Sequence, residues 1–95
     1  MPKEQRIVNQ LAEGLNSVGN VLPGQPIIEI LGAERVLIEN HLGIREYGRE
    51  KIAVTAKFGL IIISGDHMEL RQMTKEQLVI SGKINSIFLQ TRVKP

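Results

Sequence analysis

The sequence predicts a mainly β protein: an antiparallel meander of about seven or eight short strands in a curved sheet or sandwich, preceded by one N-terminal amphipathic helix. Three observations carry that expectation. From Ile27 onward apolar and polar residues alternate in short runs, the period of a strand with one face in a core. Clusters of turn-forming residues separate the runs. No connection is long enough to hold a crossover helix, which excludes a parallel βαβ sheet.

The helix is expected over Gln5–Val18, within an N-terminal segment 1–20. Ile7, Val8, Leu11, Leu15 and Val18 recur at three- and four-residue steps and define one face, with Arg6, Asn9, Glu13 and Asn16 opposite. Gly19-Asn20 is a plausible stop. Residues 21–26, Val21-Leu22-Pro23-Gly24-Gln25-Pro26, form a linker, because Pro23 and Pro26 continue neither a helix nor a central strand. The β domain, 27–95, then reads as strands at Ile27–Leu31, Arg35–Glu39, Gly43–Tyr47, Lys51–Ala56, Gly59–Ser64, Met68–Met73, Gln77–Ser81 and Ile84–Gln90. The expected turns include Asn40–Gly43, Gly65-Asp66-His67 and Gly82-Lys83.

The β domain also repeats. Val36, Ile52, Met68 and Ile84 are 16 apart, and Gly48, Gly65 and Gly82 are 17 apart. Such a period fits two architectures. In a meander each repeat is a pair of adjacent strands; in a short β-solenoid, the alternative, each repeat is one coil of a parallel stack. Links short enough for hairpins favour the meander.

Composition narrows function more than it identifies it. The chain has 95 residues, 42% hydrophobic and 23% charged, which is ordinary for one folded domain and unlike disorder. It has no cysteine, which excludes disulfides, thiolate metal sites and cysteine nucleophiles. Its net charge of +2 is a small excess over interleaved charges such as Arg45-Glu46 and Arg49-Glu50-Lys51. Tyr47, Phe58 and Phe88 are the whole aromatic complement, too few for a base-stacking sheet, so no nucleic-acid partner is expected. No run approaches the ~20 apolar residues of a membrane span. The charged start, Lys3-Glu4-Gln5-Arg6, lacks the unbroken apolar core of a signal peptide.

No catalytic constellation, cofactor site or metal site is expected. His41 and His67 fall in separate turns, and adjacent residues such as Asp66-His67 on a strand point to opposite faces. Ser64 and Ser81 precede glycines as turn residues, and no glycine-rich phosphate loop is present. Two features remain as interaction candidates. The stripe Ile7, Leu11, Leu15 and Val18 either packs over the sheet or docks on a partner. The outermost strands of an open meander would be Ile27–Leu31 and Ile84–Gln90. The first is flanked by Pro26 and carries Glu29; the second has neither charge nor proline, so Ile84, Ser86, Ile87, Phe88 and Leu89 form the less protected edge, suited to a homo-oligomer or another protein partner.

The run Pro26-Ile27-Ile28-Glu29-Ile30-Leu31-Gly32, then Val36-Leu37-Ile38-Glu39-Asn40-His41-Leu42-Gly43-Ile44 and Glu46-Tyr47, resembles the YabP/YqfC family of sporulation proteins. The similarity continues through Ile52-Ala53-Val54, Gly59-Leu60-Ile61-Ile62-Ile63-Ser64-Gly65, Met68-Glu69-Leu70 and Leu78-Val79-Ile80-Ser81-Gly82-Lys83-Ile84. Ile38-Glu39-Asn40-His41 followed by Gly43 is its most specific element, and the Pro-Ile opening is closer to the YqfC branch. The resemblance implies a small cytoplasmic protein of sporulating cells, without catalytic residues, that helps build the spore envelope. It also implies a membrane protein partner, through which the chain would be membrane-associated. The residues themselves give Asn40 and His41 a simpler role: Asn takes the left-handed conformation and bonds its own backbone, and Gly43 closes a hairpin. Together these features indicate a non-enzymatic assembly or adaptor protein; the alternative is a small module that binds a ligand or a membrane surface.

Overall fold

The computed structural model describes residues 23–92, so the expected helix, with Ile7, Leu11, Leu15 and Val18, lies outside the described residues. Six strands follow: β1 (Ile27–Leu31), β2 (Arg35–Glu39), β3 (Ile44–Tyr47), β4 (Lys51–Ala56), β5 (Gly59–Met73) and β6 (Gln77–Thr91). They form one sheet in the order β1-β2-β6-β5-β4-β3. All five pairings are antiparallel, which excludes the solenoid. The sheet is not a simple meander either, because β2 lies beside β6 and far from β3 in strand order. The Asn40–Gly43 connection is therefore a crossing and not a hairpin turn.

Six strands replace the expected eight because two expected turns do not turn. Gly65-Asp66-His67 lies within β5, and Gly82-Lys83 lies within β6. The β5–β6 register shifts between Ser64 and Gly65, between Asp66 and Glu69, and between Leu70 and Gln72. Residues with turn chemistry here serve β-bulges, which sharpen the twist and bend a strand without ending it. His67 takes φ 51° and Gly82 φ 143° to do so. The strands approach very closely at that point. A Cβ on Gly65 would lie 2.0 Å from the Lys83 oxygen, and one on Gly82 would lie 2.7 Å from the Met68 Cα. Both positions therefore need glycine.

These bulges crease the sheet. The Gly82 N–H donates to Glu34 O in the β1–β2 turn, and the Gly65 and Met68 N–H groups donate to Glu50 O and Arg49 O in the β3–β4 turn. The 17-residue glycine spacing thus marks one line across the sheet, through Gly82, Gly65 and the turn that Gly48 opens. How sharply the sheet folds follows from two hydrogen bonds. Thr55 lies opposite Leu60, near the start of β5, whereas Glu76 lies in the turn after its end. A straight strand from Leu60 to Thr74 would span ~46 Å. Yet Leu42 N–H reaches Thr55 O at 2.8 Å while Asn40 N–H reaches Glu76 O at 2.7 Å. The hairpin must double back so that the two halves of the sheet face each other.

The core lies between those halves. Val36 and Ile38 of β2, Ile52, Val54 and Ala56 of β4, Ile61, Ile63 and Met68 of β5, and Leu78 and Ile80 of β6 are fully buried and form one cluster. The sheet edges are β1 and β3. This corrects the expected outermost position of Ile84–Gln90: β6 is an inner strand, because its first half, Gln77–Ser81, carries β2. Its second half runs on past the start of β2 with β5 on one side only among the described residues.

Candidate functional site

The most specific stretch of the sequence is the crossing between β2 and β3. Glu39 ends β2 half-buried, paired with Gln77 on one side and Ile27 on the other. Asn40 takes φ 62°, the left-handed region that its short polar side chain tolerates. Its amide does not bond its own backbone; Nδ2 donates to Gln25 O at 3.1 Å and ties down the stretch before Pro26. His41 is the one buried polar side chain among the described residues, with 7% exposure. Gly43, at φ 120°, donates its N–H to His41 Nδ1 at 3.0 Å. That bond makes Nδ1 an acceptor, so Nε2 carries the proton and donates it to Thr74 O at 2.9 Å. Both ring nitrogens are engaged, and His41 bolts the crossing onto the β5–β6 turn. It serves the fold's closure and has no lone pair left for a ligand.

Of the remaining motif residues, Tyr47, Gly65 and Gly82 stand at the crease, and Pro26 lies at the opposite end of the sheet, where Ile27 pairs with Glu39. Tyr47 is 55% exposed, but its hydroxyl accepts the Leu70 N–H at 3.2 Å and caps the outer side of β5 where it runs on past the start of β4. Gly65 and Gly82 sit where the paired β5 and β6 approach most closely at their bulges. Pro26 stands half-buried before β1. The structure therefore gathers Asn40, His41 and Gly43 into a clasp, places Gly65 and Gly82 together at the crease, and leaves Pro26 and Tyr47 as separate supports. The partner of His41, Thr74, carried no sequence signal, since the two are 33 residues apart.

An open groove of about 770 Å³ lies at the crease. Arg35, Arg71 and Lys83 line it together with Glu34 and Glu69, and Arg71 is already bonded to Ser81 Oγ at 2.9 Å. Its mixed charges present no field of one sign. Among the described residues no three His, Asp or Glu side chains are placed to share a metal ion, and no helix is long and apolar enough to cross a membrane.

The second half of β6 is different in kind. Arg92 N–H donates to Phe58 O at 2.9 Å. Antiparallel ladders alternate, so Gln90, Phe88 and Ser86 also bond β5, while Ile87, Leu89 and Thr91 aim their N–H and C=O groups outward. Ile84 is not part of that free stretch, because its N–H donates to Ala33 O at 2.8 Å. Ile87 packs against the core, whereas Phe88 and Leu89 are 60% and 50% exposed. Other unpaired backbone in the sheet is guarded. β1 carries Glu29 and is preceded by Pro26; β3 is four residues long, bulged and charged; the second half of β5 carries Glu69 and Arg71 on either side of Leu70, whose N–H the Tyr47 hydroxyl accepts. Asn85–Thr91 has no charge and no proline.

The sequence model of the YabP family matches residues 24–94. Over 85 residues the chain is 25% identical to the protein YqfC of Bacillus subtilis (strain 168), covering 90% of this chain and 91% of that protein. No solved structure matches the chain.

Proposed function

Because the chain belongs to the YabP family, we propose that it is a non-enzymatic assembly or adaptor protein of the sporulating cell, contributing to spore envelope formation alongside a membrane protein partner. Family membership supplies the sporulation context. The observation that supports an interaction role is the outward backbone of Asn85–Thr91, flanked by half-exposed Phe88 and Leu89 in a sheet whose other edges are guarded. An incoming strand would gain main-chain hydrogen bonds there and side-chain contacts on alternating faces.

The test is a sporulating strain whose only copy is Leu89→Pro. The Leu89 N–H points outward, so proline removes an edge donor and spares the β5 ladder. Ser86→Pro would break that ladder, and Ile87→Lys would place a charge against the core. The expected result is a folded variant, by circular dichroism, with sporulation reduced to the level of a deletion. Sporulation at the wild-type level would overturn the reading.

A further inference from the structure

We infer that Asn85–Thr91 pairs antiparallel with the same strand of a second copy of this chain, with Phe88 on the two-fold axis. The inference rests on the interaction reading above and names the partner that occupies the edge.

Among the described residues the free stretch is bounded on both sides. Ala33 O takes the Ile84 N–H before it, and the strand ends at Thr91, with Arg92 N–H already on Phe58 O. Phe88 is the midpoint of the residues between. Outward from it the sequence is symmetric in polarity: Ile87 and Leu89 are apolar, Ser86 and Gln90 are polar and uncharged, and so are Asn85 and Thr91. In a two-fold antiparallel pair centred on Phe88, each residue faces the one equally distant on the other side. Ile87 meets Leu89 of the second copy, Ser86 meets Gln90, and Asn85 meets Thr91. Ile87 and Leu89 also carry the outward N–H and C=O groups, so they form hydrogen-bonded pairs, and Phe88 falls at the close, non-bonded position opposite itself. Pairing covers the exposed rings of Phe88 and brings no like charges together. The other edges fail the same operation. A two-fold pair centred on β1 sets Glu29 against Glu29, and β3 is bulged and carries Arg45 and Glu46.

Cysteine cross-linking tests the register, since the chain contains no cysteine. Residues at a non-bonded antiparallel position lie ~4.5 Å apart at Cα, within disulfide range. Phe88→Cys should therefore oxidise to a covalent dimer. Ser86→Cys alone and Gln90→Cys alone should not, because each is displaced ~13 Å along the strand from its own copy. An equimolar mixture of Ser86→Cys and Gln90→Cys, which keeps Phe88, should cross-link as a heterodimer. Sedimentation should show a wild-type dimer and a monomeric Leu89→Pro. Cross-linking of Ser86→Cys alone as fast as the mixture overturns the register, and a monomeric wild type at high concentration overturns self-pairing. The two readings fail separately. A monomeric wild type with defective sporulation in Leu89→Pro removes the second copy as partner and leaves the edge in use. A monomer with normal sporulation in that variant removes both.

Discussion

At the scale of single residues, His41 joins backbone segments that the sequence holds far apart. Its ring accepts from Gly43 N–H and donates to Thr74 O, and the side chain is buried. His41→Ala leaves the Thr74 carbonyl and the Gly43 amide without these partners and opens space, at an expected cost of about 2–3 kcal/mol. Urea unfolding reads this directly; an unchanged midpoint would show that the clasp contributes nothing. The glycines allow a graded comparison. Gly32 has φ 61° with no atom within 4 Å of a built Cβ, so Gly32→Ala carries only the left-handed penalty of about 1 kcal/mol. In Gly65→Ala the new methyl meets Lys83 O at 2.0 Å, and the strands must part at the crease. The expected loss is about 3 kcal/mol, at the upper end for overpacking; equal midpoints for the two variants would remove the close approach as the reason for glycine. The left-handed Asn40 was legible in the sequence, because Asn before His-Leu-Gly tolerates that conformation. The target of its side chain was not: Gln25 lies 15 residues away, and local chemistry names no such partner.

At the scale of elements, β1, β2 and β4 match the boundaries expected from alternation, because each is a short run between true turns. Alternation alone divides the long β5 and β6 into four strands, since Gly-Asp-His and Gly-Lys serve a bulge as well as a turn and alternation restarts on the far side of either. What separates the cases is whether a neighbouring strand continues past the point, which depends on residues distant in sequence. The ladder makes an expectation of its own. Within β6, amides alternate between the β5 partner and the free side. In dilute protein the Ile87 and Leu89 amides should exchange hydrogen much faster than those of Phe88 and Gln90. Raising the concentration should protect Ile87 and Leu89 selectively as the edge becomes paired. Uniform exchange along Ser86–Gln90 would contradict the assigned hydrogen-bonding direction.

At the scale of the whole molecule, the folded-over sheet decides how the protein unfolds. The mainly β class was legible, and of the residues at 16-residue spacing Val36, Ile52 and Met68 are fully buried while Ile84 is partly so. The strand order was not, because β2 pairs with β6 across some forty intervening residues and nothing local encodes the choice. That long-range pairing places Ile80 in one half of the sheet and Ile52 in the other, within a single buried cluster. Neither half has a core of its own, and the crossing at Asn40–Gly43 ties them at the end away from the crease. The halves should therefore melt together. Ile52→Ala and Ile80→Ala each remove a fully buried side chain, at an expected cost of about 3 kcal/mol apiece. A domain of this size has only ~5–10 kcal/mol in total. Each variant should shift the entire transition, seen equally by circular dichroism and by amide signals from both halves, with an unchanged denaturant slope. If Ile80→Ala released β1 and β2 while β3 and β4 stayed folded, the shared core would not be the unit of stability, and the crease would be a hinge between two independent sheets.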